Sequence, residues 1–326
     1  MRSLAVRAES WPIAGRFVIS RGAKTEARVV LAEIRDGEHL GRGECVPYAR
    51  YGETVESVVA EIEALADRIA AGLDRAALQT ALPAGGARNA LDCALWDLEA
   101  KRAGKRAWVL AGHPRLDPVK TAYTLSLGEP EAMAQAARAN ARRPMLKLKI
   151  GGAHDLDRVE AVRTAAPRTR LIVDANEGLD FETLRRLAPE LARLDVKLIE
   201  QPLPQAEDAQ LEGWASPVPL CADESLHTRA ELDACARRYD VMNIKLDKTG
   251  GLTEALALQE AARALGKEIM VGCMVSTSLG IAPAMILAQG VAFTDLDAPL
   301  LLAKDREPRL KVTGSMLEPP VPELWG

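Results

Sequence analysis

The chain is short of features that would place it in several large classes. Cysteine is scarce: Cys45, Cys93, Cys221, Cys235 and Cys273 are scattered, odd in number and free of any CxxC spacing. That pattern excludes a disulfide framework and fits reduced thiols buried as small apolar groups in the cytosol. Charge of one sign is lacking too. The 42 basic residues stand against 46 acidic ones, a net charge of −4, so the basic excess of a nucleic-acid binder is missing. No stretch approaches the ~18 apolar residues of a membrane span. The opening, Met1 to Glu9, has no uninterrupted apolar core of the signal-peptide kind. The expectation is a cytoplasmic protein that meets neither membrane nor nucleic acid. Internal repeats and low-complexity segments are absent as well.

What the chain does have is a beat. Lys147-Leu148-Lys149 ends one apolar or β-branched run, and Asp174, Glu200, Asp223 and Lys245 each close another. The steps from Lys149 onward are 25, 26, 23 and 22 residues, about the length of a strand, a loop and a helix. Such runs read as buried parallel strands. Five polar residues then sit at the C-terminal ends of five successive strands, the end at which a (β/α) barrel builds its active site. Three carboxylates converging there repel one another unless a hard cation joins them, and Mg²⁺ prefers oxygen ligands. Two lysines flanking such a cation are candidate bases, since nearby positive charge lowers a lysine pKa. A base on each side of a metal-held carboxylate is what removing and returning an α-proton requires.

At 326 residues and 48% hydrophobic composition, one barrel and a smaller domain fit. Residues up to about 50 read as β, with strands at Arg16–Ser20, Glu26–Ile34 and His39–Cys45. A helix is expected over Thr54–Leu73, with Val58, Ile62, Leu65 and Ile69 on one face, and another over Ala87–Ala103, ending at Gly104. After Pro118 the grammar is strand, helix, strand, helix. Eight strands are expected: Thr121–Leu127, Met145–Ile150, Leu171–Asp174, Lys197–Glu200, Pro219–Asp223, Val241–Lys245, Ile269–Cys273 and Ala292–Asp295. A helix is expected over Leu279–Gln289. The division is a capping domain (1–113), a catalytic barrel (114–303) and a proline-rich strap (304–326).

These residues resemble a known family, the dipeptide epimerases of the enolase superfamily, in its muconate-lactonizing-enzyme-like subgroup. The likeness runs through Gly43-Glu44, Arg50-Tyr51-Gly52-Glu53, Arg88-Asn89-Ala90-Leu91-Asp92 and Asp174-Ala175-Asn176-Glu177. It continues through Glu200-Gln201-Pro202, Ala222-Asp223-Glu224-Ser225 and Asn243-Ile244-Lys245 with Lys248-Thr249-Gly250-Gly251. The resemblance implies an α/β fold, a modified (β/α)7β TIM-type barrel under an N-terminal α+β capping domain. It implies one Mg²⁺ on Asp174, Glu200 and Asp223, acid/base catalysis by Lys149 and Lys245, and a polarising role for Lys147. It also implies that Asp295 and Asp297 hold the α-ammonium of a small acidic dipeptide, which an N-acylated amino acid lacks. Arg21 is the preferred cap-loop cation for the substrate's side-chain carboxylate, with Lys24 and Arg50 competing. Thr124 and Ser276 are candidate donors to the substrate backbone, although Ser276-Thr277-Ser278 also reads as a helix cap. None of the four histidines stands at a barrel position suited to a base. The implied reaction is epimerisation of L-Ala-D/L-Glu-type dipeptides, consistent with murein peptide metabolism. o-Succinylbenzoate synthesis, N-succinylamino acid racemisation, cycloisomerisation and a non-catalytic binding barrel stay open, as does homo-oligomerisation.

Overall fold

The computed structural model describes residues 2–152 and 154–326. Strands β1 (Ser3–Ile19), β2 (Gly22–Asp36) and β3 (His39–Cys45) form an antiparallel sheet in that order. β1 begins well before the expected Arg16. It is an edge strand whose ladder with β2 slips between Pro12 and Phe17, and proline, with no N–H to give, is tolerated at such edges. The expected 54–73 helix is broken into Val55–Glu63 and Ala66–Ala70, and a further helix, Arg75–Ala81, was not foreseen. The break leaves Val58, Ile62, Leu65 and Ile69 in one core with Val30, Ile34, Leu91 and Leu95. Burial of that shared apolar face, rather than helix propensity, holds these short segments.

Helix Gly86–Ala103 crosses the sheet. It lies so close that a Cβ at Gly41 or Gly43 would come within 2.1 or 2.0 Å of a helix carbonyl oxygen; only glycine fits there. The far side of this helix faces the barrel. Asp92 accepts from Thr253 N at 2.9 Å, Asn89 donates to Asp247 at 2.9 Å, and Arg88 donates to the Thr249 carbonyl at 2.7 Å. Gly251, at φ 112°, turns the chain where a Cβ would lie 2.4 Å from the Asp92 Cβ. The Gly250-Gly251 pair therefore serves a turn and a close approach.

β4 (Val119–Lys120) precedes the barrel. The barrel strands are β5 (Tyr123–Leu125), β6 (Met145–Lys149), β7 (Arg170–Asp174), β8 (Val196–Glu200), β9 (Leu220–Ala222), β10 (Val241–Ile244), β11 (Glu268–Gly272) and β12 (Phe293–Asp295). They pair in sequence order as an eight-stranded parallel sheet. Ala122 N donates to Thr294 O at 2.8 Å and Leu296 N to Thr121 Oγ1 at 2.8 Å, which draws the last strand to the first. Each strand expected from the sequence overlaps one of these. The expected 279–289 helix is two single turns, Ser278–Ile281 and Ala284–Leu287, on either side of Pro283.

Alternation along the strands builds the interior in layers. Ala122, Met145, Ile172, Leu198, Cys221, Val241, Met270 and Phe293 form an apolar plug. Two residues further along come Thr124, Lys147, Asp174, Glu200, Asp223, Asn243, Gly272 and Asp295. Side chains from the other register, such as Leu146, Leu148, Leu171 and Val173, join the shell of helices. The chain closes through β13 (Val312–Thr313) and β14 (Met316–Leu317), the latter pairing with β4. The tail then returns to the cap, where Gly326 N donates to Asp97 at 2.7 Å and the Trp325 indole to Cys93 O at 3.0 Å.

Candidate active site

Strand register brings the polar residues together. Lys149 pairs with Asp174, and Asp174 with Glu200; Glu200 pairs with Cys221, so Asp223 stands two residues higher, just past the end of β9. β6 and β10 are four strands apart in a ring of eight. Lys149 and Lys245 therefore face each other across the mouth, and the three carboxylate strands occupy the arc between them. Above lies a cavity of about 970 Å³, roofed by cap residues including Phe17, Ile19, Arg21, Lys24, Tyr48 and Tyr51.

The charged groups are buried and bonded to one another. Lys147 Nζ lies 2.7 Å from Glu200, 2.7 Å from Asp295 and 3.0 Å from Asp174. Lys149 Nζ is 2.6 Å from Asp174 and 3.0 Å from Asn176 Oδ1. Lys245 Nζ and Lys248 Nζ grip the two oxygens of Asp223 at 2.6 and 2.7 Å. Burial opposes these charges, but the carboxylates prevail at Lys147 and Lys245 and hold both ammonium groups well above the ordinary lysine value. The lowering expected of a lysine beside a bound cation belongs to the metal-loaded site; here the charges nearest Lys147 and Lys245 are carboxylates. Asp174 and Asp223 are desolvated, yet their lysine partners hold both below the ordinary carboxylate range. Glu200 goes the other way: burial first, then the charge of Asp174, push it up to about 8.

Among the described residues, no three His, Cys, Asp or Glu side chains are drawn together closely enough to hold a metal ion. Ammonium groups sit between the carboxylates instead. The donor set nevertheless fits a hard divalent cation. It consists of three buried carboxylates on adjacent strand ends, and Glu200 Oε2 has no hydrogen-bond partner although it lies near Lys147.

The remaining expected residues divide. Asp295, Asp297 and Thr124 line the cavity. Asp295 Oδ1 is buried and unbonded, and Asp297 accepts from Thr124 N at 2.6 Å. Burial and the neighbouring Asp295 push Asp297 up to about 7. Ser276 is buried but does not line the cavity; Met274 and Val275 do. Its neighbours Thr277 and Ser278 bond to Glu44 at 2.6 Å and Asp305 at 2.5 Å, and Thr277 caps the following turn. Arg21 is fully engaged: it lies 2.7 Å from Glu224 and donates to Asn176 O at 2.7 Å and Tyr48 Oη at 3.1 Å. Lys24 has no ion pair among the described residues. Although the residue is exposed, its ammonium head lies 5.2 Å from the centre of the Tyr48 ring at the cavity wall. Desolvation, then repulsion from Arg21, lowers its pKa. His227 packs edge-on against Tyr51, 4.4 Å between centroids, outside this cavity.

Several residues escaped sequence reasoning. Asn243 donates to Glu200 at 2.9 Å. Lys248 is sealed beneath Asp223, and its Lys-Thr-Gly-Gly context reads only as a turn. Gly272 makes room for two site side chains: a Cβ there would lie 2.9 Å from Lys245 Cε and 2.7 Å from Asn243 Oδ1.

A barrel whose strand ends offer three carboxylates, with lysines facing each other across them, is an arrangement capable of acid/base chemistry beside a hard cation. Residues 131–320 match the enolase C-terminal domain-like family, and residues 1–112 the mandelate racemase/muconate lactonizing enzyme N-terminal domain. The chain belongs to this enolase-type family. It is 49% identical over 315 residues to the L-Ala-D/L-Glu epimerase of Escherichia coli (strain K12), covering 96% of this chain and 98% of that one. It is 43% identical to an N-acetyl-D-glutamate racemase of a Pseudoalteromonas species, covering 91% and 95%. A crystal structure of an enolase family member from Agrobacterium tumefaciens, described as homologous to dipeptide epimerases and holding sodium and L-Ala-L-Glu, superposes with a TM-score of 0.98 at 55% identity. It covers 100% of both chains.

Proposed function

We propose that this protein epimerises dipeptides of the L-Ala-Glu type by 1,1-proton transfer at the α-carbon of the C-terminal residue. The observation that carries the reading is the placement of Lys149 and Lys245 at the C-terminal ends of strands four apart, with Asp174, Glu200 and Asp223 between them. The likeness to an L-Ala-D/L-Glu epimerase over nearly the whole chain supports the same substrate class.

Asp174, Glu200 and Asp223 would hold Mg²⁺, the ion used across enolase-superfamily sites. When bound, it supplies positive charge to the substrate carboxylate and to the negative charge that develops there as the α-proton leaves. One lysine takes the α-proton from one face. The other delivers a proton to the opposite face, which inverts the centre. Lys147, held among carboxylates, adds a fixed positive charge to the site. Asp295 and Asp297 present carboxylates to the substrate ammonium, and Thr124 orients Asp297 through its backbone N–H. For the side-chain carboxylate of the substrate we assign Lys24 rather than Arg21. Arg21 is already paired with Glu224, whereas Lys24 keeps its charge unmatched at the cavity wall. Ser276 has no part in this scheme.

The similarity to an N-acetyl-D-glutamate racemase favours a second reading, racemisation of N-acylated amino acids. Such a substrate has no ammonium to satisfy Asp295 and Asp297, so the dipeptide is preferred. The proposal keeps the division into 1–113, 114–303 and 304–326. It also includes residence in the cytoplasm and self-association without nucleic-acid or membrane partners. Among the described residues no helix is long and apolar enough to cross a membrane.

The test is polarimetry of L-Ala-L-Glu and N-acetyl-L-Glu with purified protein and Mg²⁺. Inversion of the dipeptide that stops on chelation supports the proposal. Inversion of the N-acyl compound alone replaces it with the second reading.

A further inference from the structure

Two cap segments close the cavity, and each ends in an arginine that reaches the same barrel residue. Arg50 donates to Glu177 through Nε and Nη2, both at 2.7 Å. Arg21 reaches Glu177 at 3.2 Å and donates to the preceding carbonyl, Asn176 O, at 2.7 Å. The Glu177 side chain is only 9% exposed, and Gln205 N also donates to it at 2.9 Å. Paired bonds of this charge-assisted kind are geometrically specific.

Glu177 and Asn176 are consecutive non-glycine residues at left-handed φ, 67° and 45°. A left-handed φ at a non-glycine residue persists only where the surrounding structure enforces it. Glu177 N bonds to Gln201 O at 2.9 Å and Gly178 N to Ala175 O at 2.9 Å, which helps fix the turn. The turn aims Asn176 inward. Its Oδ1 accepts from Lys149 Nζ at 3.0 Å, its backbone N donates to Asp174 at 2.9 Å, and its Nδ2 donates to Glu224 at 3.3 Å. One tight turn thus docks both cap segments on Glu177 and holds the Lys149 ammonium on Asn176. Among the described residues Lys245 has no bond to this turn: its close charged partners are Asp223 and, at 4.0 Å, Glu200.

We infer that Glu177 is a positioning residue that couples docking of the cap segments to the placement of Lys149, and not of Lys245. The two bases are then unequally controlled by closure. The inference rests on the two-base reading above.

The test places Glu177→Gln in two single-base backgrounds, Lys245→Ala and Lys149→Ala. Exchange of the α-proton of L-Ala-L-Glu and L-Ala-D-Glu is followed in D₂O. The result expected is a loss of at least about tenfold where Lys149 is the sole base and under about threefold where Lys245 is. Arg50→Gln, which breaks the clamp from the cap side, should show the same asymmetry. Equal losses in both backgrounds, or none, would overturn the coupling. Amide hydrogen exchange on the intact Glu177→Gln protein decides the matter independently. Protection should fall at residues 17–26, 49–53 and 145–151 and stay unchanged at 241–246; unchanged protection at 145–151 would also overturn it. If the parent protein exchanges neither dipeptide, the proposed function falls, and the amide measurement alone judges the clamp.

Discussion

Lys24→Met is the most pointed test of substrate choice. Methionine keeps the length of the stem and removes the charge. In the native chain Lys24 has no carboxylate partner among the described residues, while Arg21 beside it is committed to Glu224 and to Asn176 O. A substrate γ-carboxylate at Lys24 would therefore gain one new charge-assisted hydrogen bond, worth about 1.5–3 kcal/mol. Lys24 is partly open to solvent, and screening there takes the lower half of that range. At 1.4 kcal/mol per decade this is about 10- to 40-fold in relative kcat/KM. The assay is kcat/KM for L-Ala-L-Glu and for the isosteric L-Ala-L-Gln with both proteins. L-Ala-L-Glu should lose about 10- to 40-fold and L-Ala-L-Gln less than about threefold, since only the charged contact is removed. Equal losses on the two dipeptides, or an unchanged preference for Glu, would refute the assignment. Arg21→Met should instead depress both dipeptides together, because it untethers the cap loop from Asn176 and Glu224.

Two other predictions concern pH and stability. Burial and Asp295 hold Asp297 up to about 7, so its carboxyl takes a proton as pH falls through that value and loses its attraction for the substrate ammonium. The pH profile of kcat/KM should show an acid limb falling about tenfold per unit, as a single titration requires; persistence of that limb in Asp297→Asn would contradict the assignment. Arg306 joins the strap to the cap, 2.5 Å from Glu44 and 2.6 Å from Glu9. Removing one partner of a buried pair costs about 3–5 kcal/mol, so Arg306→Met should lose about that much stability in urea melts at pH 8. Burial already raises the Glu44 pKa against the pull of Arg306. A carboxyl whose folded pKa is raised costs stability when ionised and regains it as pH falls through that folded pKa. The deficit of Arg306→Met should therefore shrink on acidification, and a deficit constant from pH 8 to pH 5 would show that Glu44 is not its source.

The barrel was legible because its strands are buried on both faces and announce themselves as β-branched runs, each closed by a polar residue at its C-terminal end. Strand register then converts that one-dimensional spacing into a ring. The cap was harder. β1 is an edge strand with much of its surface exposed, so its alternation is weak before Pro12. The break near Leu65 leaves the apolar stripe intact, so periodicity cannot reveal it. At the site, Lys147, Lys149, Lys245 and the three carboxylates were readable from spacing, but which cap cation is free was not. Arg21 and Lys24 lie three residues apart on one hairpin, and only the positions of Glu224 and Asn176, some 150 to 200 residues later in the chain, decide which of them is occupied. For Ser276-Thr277-Ser278 the sequence leaves a helix cap and a substrate donor both open, and partners distant in sequence, Glu44 and Asp305, turn Thr277 and Ser278 into a cap-and-strap anchor. Lys248 entered only as part of a family-like motif with no role of its own and Gly272 not at all, because a buried lysine after a strand and a glycine within one acquire meaning only from what they touch.

The central claim is a two-base proton transfer, and α-proton exchange in D₂O with Mg²⁺ tests it most directly. Wild-type protein, Lys149→Ala and Lys245→Ala would each be followed by NMR on L-Ala-L-Glu and L-Ala-D-Glu. The account predicts that wild type exchanges and inverts both dipeptides. Each single-lysine variant should lose inversion by more than about 100-fold, the lower bound for removing an acid/base group, while still exchanging one enantiomer, a different one for each variant. Near-normal inversion by either variant, or retention of the same enantiomer's exchange by both, would contradict it.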